Sequence, residues 1–261
     1  MRTFAQDDAH LFVTPDQIKG EIAALLRMMS DTYSLFGFGS PRVFLSTRPA
    51  SSMGSDEVWS RAEKALAEAL SENGVEYTVN KGDGAFYGPK IDFVVKDAIE
   101  RDWQLGTIQL DFQMPERFDL KYTAPGGSDE RPVMIHRAVL GSLERFIGIL
   151  IEQCAGNFPF WLAPVQARVL TITEAHAARA KEIVAILRDG GFRVEADAAN
   201  EKIGGKIRDA RLMRIPFVLV VGDREMTEGT VSVRERPDKD LGSMSLPAVG
   251  ELFSNLERSK K

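Results

Sequence analysis

The sequence predicts two units of mixed fold. Residues 1–160 read as an α+β unit on an antiparallel sheet, and residues 161–261 as a small α/β unit with a largely parallel sheet. Three observations carry this. In the first part several strand patterns follow one another with no helix between them, as in an antiparallel sheet. In the second part strand and helix patterns alternate, as in parallel βαβ units. Between them Asn157-Phe158-Pro159-Phe160-Trp161-Leu162-Ala163-Pro164 forms a stiff connector, apolar enough to pack rather than swing.

The first predicted element is a helix over 15–29, with Thr14 as its N-cap and Pro15 at its first position. A strand follows over 42–46. An amphipathic helix over 56–72 is stopped by Asn73-Gly74. Strand patterns occupy 75–79, 91–95, 103–112 and 133–135, and a helix is expected over 138–154. In the second part, 167–172 reads as a strand and 175–188 as a helix stopped by Gly190-Gly191. Residues 192–196 alternate like a strand. A basic helix over 202–214 ends at Pro216. The run Phe217-Val218-Leu219-Val220-Val221 between Pro216 and Gly222 is typical of a strand buried on both faces. A short strand at 231–234 and a helix at 249–257 close the chain.

Composition excludes several classes. With 44% hydrophobic and 27% charged residues, the chain has ordinary globular composition. No apolar run approaches the roughly 20 residues of a membrane span. Residues 1–8 lack the apolar stretch of a secretory signal. The single cysteine, Cys154, excludes an intrachain disulfide and a Cys-only metal site, so a reducing cytoplasm is the expected compartment. Residues 1–160 hold 16 Lys+Arg against 23 Asp+Glu, whereas residues 161–261 hold 17 against 15. An acidic part joined to a mildly basic one suggests different partners.

Several clusters can carry chemistry. In an extended segment Gln6, Asp8 and His10 share a face, placing a hydrogen-bonding amide, an anion and a metal-capable nitrogen together. The same five residues also read as a polar loop. His136, at a strand end, would supply a second metal ligand if paired with His10; a zinc site needs one or two more. Tyr87 and Lys90 flank a glycine turn and suit a substrate hydroxyl and a phosphate, or a plain hairpin. Arg145, one turn into a helix, suits a base or a phosphate, or a surface pair with a glutamate. Lys202 and Lys206, an i,i+4 pair of like charge, together with Gly204-Gly205, suit an approaching RNA backbone or a solvated helix face.

Taken in order, six segments resemble the threonyl-tRNA synthetase family. They are Gln6-Asp7-Asp8-Ala9-His10, Leu45-Ser46-Thr47-Arg48-Pro49, Gly54-Ser55-Asp56-Glu57, Gly84-Ala85-Phe86-Tyr87-Gly88-Pro89-Lys90-Ile91, the run from Trp103 to Phe112, and the run from Ile135 to Phe146. Asn200-Glu201-Lys202-Ile203-Gly204 and Asp240-Leu241-Gly242-Ser243-Met244 extend the likeness through the second part. The resemblance implies part of a class II catalytic domain over 1–160, then an anticodon-binding domain over 161–261. It implies a threonine–tRNA ligase that activates threonine with ATP and passes it to threonine tRNA. It also implies a homodimer in the full-length form, Mg2+ accompanying ATP, and zinc held by one Cys and two His.

Carried over residue by residue, the resemblance puts His10 and His136 on zinc and Asp8 under the threonine hydroxyl. Gln6, Tyr87, Lys90 and Gln109 fall on the substrate, and Arg2, Gln104, Ser142 and Arg145 on ATP. Asn200, Lys202, Arg208, Glu225 and Arg234 fall on the anticodon. Gln6, Asp8, Tyr87 and Arg145 are the residues on the reacting groups. Valine lacks the hydroxyl such a site binds and is rejected, whereas serine keeps it. The resemblance begins mid-domain, so the zinc cysteine and a second catalytic arginine are expected upstream. One expectation is therefore a carboxy-terminal portion inactive alone. The alternative is a stand-alone tRNA-binding or regulatory paralogue without catalysis.

Overall fold

A computed structural model describes residues 2–260. The chain divides into two compact units between Gln153 and Cys154. Segment 157–164 therefore lies in the second unit, where Phe160 is buried.

In the first unit the elements are β1 (Ala9–Val13), α1 (Ile18–Leu35), β2 (Arg42–Ser46), α2 (Asp56–Glu72), β3 (Thr78–Asn80), β4 (Lys90–Lys96) and β5 (Asp102–Asp111). They continue with α3 (Gln113–Arg117), β6 (Tyr122–Thr123), β7 (Asp129–Glu130), β8 (Val133–Ala138) and α4 (Leu143–Gln153). Six strands form one sheet in the order β1-β8-β5-β4-β2-β3, antiparallel except for the edge pair β2–β3. Strands β6 and β7 form a separate small hairpin.

Alternation gives this sheet two unlike faces. Ile91, Phe93 and Val95 of β4 and Ile108 and Leu110 of β5 are buried. Helices α1 and α2, which pack on each other, also contact β5. The intervening residues Lys90, Asp92, Thr107 and Gln109 belong to the opposite face.

Local chemistry sets the element ends. Thr14 caps as expected, in a capping box with Gln17, but around a short 3-10 turn at Pro15–Gln17 before α1 begins. Ser55 Oγ accepts the N–H of Val58 at the start of α2. At its other end Val75 N–H returns to the Leu70 carbonyl. That closure delays the edge strand predicted over 75–79 to Thr78–Asn80. The helix expected from residue 138 starts only at Leu143. Asp7 explains the delay: its carboxylate accepts the N–H groups of Val139 (2.8 Å), Leu140 (3.0 Å) and Gly141 (3.0 Å), which holds the chain in a turn. Gly141 takes φ +68° there, a conformation that favours glycine.

The second unit contains β9 (Ala167–Thr171), α5 (Ala177–Asp189), β10 (Val194–Asp197), α6 (Ile203–Leu212) and β11 (Phe217–Val221). After these come α7 (Asp223–Glu228), β12 (Thr230–Glu235), β13 (Lys239–Ser245) and α8 (Leu246–Ser259). The sheet order is β10-β9-β11-β12-β13. The first three strands are parallel, and the hairpin β12–β13 adds an antiparallel edge. Both faces are covered. Phe217, Leu219 and Val221 join Ile183, Leu187, Val249 and Phe253 from α5 and α8 in one core. Val218 and Val220 join Ala210 of α6 and Ile215 in another. Helix α7 and strand β13 were not legible in the sequence.

Candidate functional site

One row of side chains crosses the open face of the first sheet. Register places Ser46 (β2) beside Lys90 (β4), Lys90 beside Gln109 (β5), Gln109 beside His136 (β8), and His136 beside His10 (β1). Directly opposite residues on neighbouring strands share a face and touch. The sequence spreads these residues over more than a hundred positions; antiparallel pairing brings them into line. The His10 and His136 rings meet edge to face, with centroids 4.7 Å apart.

Tyr87 lies over this row. Its ring centroid is 5.0 Å from that of His136, and its hydroxyl donates to Gln109 Oε1. Burial, followed by the charges of Asp111 and Asp8, pushes the phenol up to about 12. The loop holding it comes unusually close to β5: a Cβ on Gly88 would collide with the Leu110 carbonyl oxygen. Only glycine permits that approach. Behind the row Asp111, buried, has Oδ2 2.9 Å from His136 Nε2, while its Oδ1 accepts the N–H groups of Gln113 (2.7 Å) and Met114 (3.0 Å).

Beside the row opens a cleft of about 630 Å3. Gln6, Asp8, Gln104, Gln109, Ser142 and Arg145 all line it. Six of the residues singled out in the sequence are thus brought together. Gln6 bridges to Ser142 across the segment, which fixes residues 5–8 alongside the start of α4. Arg145 Nη2 donates to the Gln104 carbonyl (3.0 Å) and Ser142 Oγ to Glu144 Oε2 (2.9 Å). The N–H groups of Glu144 itself and Ala5, with the Ser142 hydroxyl, hold the Glu144 carboxyl below the usual range. Arg2 is exposed and is not among the residues lining the cleft.

Lys90 is not among the residues lining the cleft. Its ammonium is 2.6 Å from Asp92 Oδ2 and 3.3 Å from Asp83 Oδ2. Residues that sequence reasoning missed are Asp7, Asp92, Asp111 and Tyr33, whose buried hydroxyl donates to the Val139 carbonyl (2.7 Å). Burial and the charge of Asp7 raise the Tyr33 phenol. Asp92 and Asp111 had a usable signal: each is a carboxylate inside an apolar strand run, which calls for partners.

Two imidazoles meeting across β1 and β8 fit two positions of a zinc site, since neutral His nitrogen is a good zinc donor. Among the described residues no group of three or more His, Cys, Asp or Glu could hold a metal. A third protein ligand would therefore have to come from outside this set.

In the second unit Asn200 and the α6 N-cap Lys202 follow β10, and Glu225 follows β11 at the start of α7. These three sit beyond the carboxyl ends of parallel strands, where open α/β sheets usually place ligands. Arg208 is exposed on α6. Arg234, on β12, is 3.7 Å from Asp240 and shares a shallow groove with Ile207 and Arg211. Lys206 departs from expectation. It does not pair with Lys202 on a surface awaiting RNA. It is buried, donating to the Thr171 carbonyl (3.0 Å), Thr171 Oγ1 (3.2 Å) and the Asp197 carbonyl (3.2 Å). The cause is helix phase: Lys206 and Ala210 form the inward face of α6.

Residues 1–154 match the tRNA synthetase class II core domain (G, H, P, S and T). Residues 166–256 match an anticodon binding domain. A threonine–tRNA ligase of Acetivibrio thermocellus is 58% identical over 94% of this chain. The chain spans about two fifths of the length of such curated relatives (39% and 41% for two of them). Among solved structures, one titled as the RNA binding domain of threonyl-tRNA synthetase from Cryptosporidium parvum is similar at TM-score 0.93. It has 42% identity, over 97% of this chain and 64% of that one. A putative threonyl-tRNA synthetase from Aeropyrum pernix aligns at TM-score 0.79 and 30% identity, over 98% of this chain and 64% of that one.

Proposed function

The chain belongs to the class II tRNA synthetase core family, and from that premise we propose that it is the carboxy-terminal portion of a threonine–tRNA ligase. The reaction joins threonine to ATP as threonyl-adenylate with release of pyrophosphate, then transfers threonine to its tRNA. The observation that carries this reading is the row Lys90–Gln109–His136–His10 under Tyr87, beside a cleft lined by Asp8 and Arg145. No RNA-binding role alone requires that row.

His10 and His136 would hold zinc together with a cysteine from an upstream segment. Bound there, zinc would supply a Lewis-acid contact to the amino group and hydroxyl of threonine. Asp8 accepts the threonine hydroxyl, Gln6 and Gln109 border the same pocket, and Tyr87 stays protonated as a donor. Lys90, held between carboxylates, supplies fixed positive charge behind the pocket. Arg145, Gln104, Ser142 and the exposed charge of Arg2 belong to the ATP side, where Mg2+ accompanies the phosphates. Arg145 stacks or neutralises charge that develops in transfer. In the second unit Asn200, Lys202, Arg208, Glu225 and Arg234 meet the anticodon. The whole protein would work as a homodimer in the cytoplasm; no described helix is long and apolar enough to cross a membrane.

Two measurements test this. The first is the mass of the native polypeptide in its source cells, detected by antibody against residues 165–261. A band well above 28.9 kDa is expected. The second is threonine-dependent ATP–pyrophosphate exchange by that polypeptide and by the 261-residue chain. Exchange by the short chain near the rate of the long one would contradict the need for an upstream portion. Binding of threonine tRNA without binding of threonine or ATP would instead favour the non-catalytic paralogue.

A further inference from the structure

A buried carboxylate at the centre of the open sheet face has no role in the function proposed above. Asp92 on β4 is 3% exposed. Its Oδ2 accepts from Ser46 Oγ (2.7 Å) and Lys90 Nζ (2.6 Å), and its Oδ1 from Gln104 Nε2 (2.7 Å) and Thr107 Oγ1 (3.3 Å). Both oxygens are fully engaged, so Asp92 has no acceptor left for a ligand. Its influence has to pass through its donors.

Of those four donors, Gln104 and Thr107 line the cleft. They should not both face Asp92. Residues three apart on a regular strand point to opposite sides of the sheet. The register between β4 and β5 shifts at Phe93/Val94: Phe93 pairs with Gly106, but Val94 pairs with Gln104. Leu105 is thus an extra residue, a bulge that flips the strand's parity. The bulge turns Gln104 onto the polar face, and Asp92 captures it there.

We propose that Asp92 is a positioning residue that fixes the Gln104 carboxamide with Nε2 inward, leaving Oε1 as the acceptor presented to the cleft. A neutral amide left to rotate would offer either end. Pinned this way it selects a ligand donor, a hydroxyl or an amino group, at that point. If the cleft takes ATP, as proposed above, the matching donors are the ribose hydroxyls and the adenine amino group. Lys90 balances the charge of Asp92, and Asp83 lies 3.3 Å from the same ammonium. An unpaired buried carboxylate would otherwise be costly.

The test has a ligand-free arm on this chain and a binding arm on the native polypeptide that carries it. In the 15N-labelled protein, the Gln104 side-chain amide signals, identified by their loss in Gln104→Met, should be shifted from those of solvated glutamine and slow to exchange. Asp92→Asn should return them to solvated values. Free-glutamine behaviour in the wild type would overturn the proposal. In the second arm, ATP and threonine are titrated separately. Asp92→Asn should weaken ATP by about 5- to 10-fold, the size of one hydrogen bond, with a smaller change for threonine. The double variant Asp92→Asn/Gln104→Glu should recover ATP affinity. It reverses the pair: the amide at position 92 donates to one oxygen of the carboxylate at position 104, and the other oxygen faces the cleft. It also restores a negative charge near Lys90, which guards against simple misfolding. A double variant no better than the single one would contradict the proposal. A wild type that binds neither ligand would remove the function reading, while the amide spectrum would still decide the role of Asp92.

Discussion

The two sheets bury themselves differently, and the difference decides where each unit can do chemistry. The first sheet packs helices against its apolar side and leaves the other side open. A row of polar side chains, Lys90, Gln109, His136 and His10, occupies the open side. The second sheet is covered on both sides, by α5 and α8 on one and α6 on the other. Its central strand Phe217–Val221 has no polar side chain at all. The polar candidates there sit at strand ends, on helices and on the added hairpin, where Asn200, Lys202, Glu225 and Arg234 are found. An antiparallel sheet with one wet face can host a site on its surface, whereas a doubly covered sheet hosts one at its rim.

The contrast can be broken first at the buried strand. Leu219→Ala, at a fully buried position, should destabilise the second unit by about 2–5 kcal/mol. The threonine and ATP binding proposed for the first unit should not change. Denaturant unfolding followed by separate probes in each unit checks this; a matching loss in the first unit would mean the two do not fold independently.

The second test is the mirror image. His136→Ala on the open face should lower threonine-dependent exchange by more than about 100-fold, the scale expected for losing one positioned polar group. Its stability should fall by no more than about 1–3 kcal/mol, the cost of leaving the buried Asp111 Oδ2 without its partner. A large loss of stability without a loss of activity would make His136 structural.

Lys206 sharpens the comparison, because it is a charge buried between α6 and the covered sheet. Lys206→Met leaves the Thr171 and Asp197 carbonyls without their donor and should cost about 1–3 kcal/mol. Lys202→Met, at the exposed cap, should shift stability by no more than about 0.5 kcal/mol while weakening tRNA binding. Calorimetric unfolding and filter-binding separate the two.

A smaller effect concerns pH. The Tyr87 phenol is raised from 10.0 to about 12. A group whose folded value is raised contributes stability that is present below its unfolded value and lost as pH rises through the folded one. Tyr87 should therefore ionise late, and stability should fall between about pH 10 and 12. Phenolate absorbance and unfolding midpoints across that range check this; Tyr87→Phe should remove one late-titrating step.

What the sequence revealed follows the range of the forces involved. Helix α2 and strand β11 were legible to their end residues. Their limits are set by neighbours in the chain: Ser55 and Asn73-Gly74 for one, Pro216 and Gly222 for the other. Strand alternation is local, and Gln6 and Asp8, which it puts on one side, both line the cleft. The delayed start of α4 was hidden, because it depends on Asp7 reaching across to Val139, Leu140 and Gly141. Also hidden was the bulge at Leu105, which puts Gln104 and Thr107 on one carboxylate. Burial of Lys206 depends on which face of α6 meets the sheet, and a charge-spacing argument alone cannot read that. The cross-strand row needed a register, and register is a property of paired strands rather than of any one segment.

The most direct test of the account is amino-acid-dependent ATP–pyrophosphate exchange by the native polypeptide carrying this sequence, measured with threonine and with the isosteric valine. The account predicts exchange with threonine and at least about 100-fold less with valine, since a pocket built around a hydroxyl leaves its polar groups unpaired with valine. Both should fall to background in His136→Ala. Equal exchange with threonine and valine, or undiminished exchange in His136→Ala, would contradict the claim that the open face of the first sheet recognises the threonine hydroxyl.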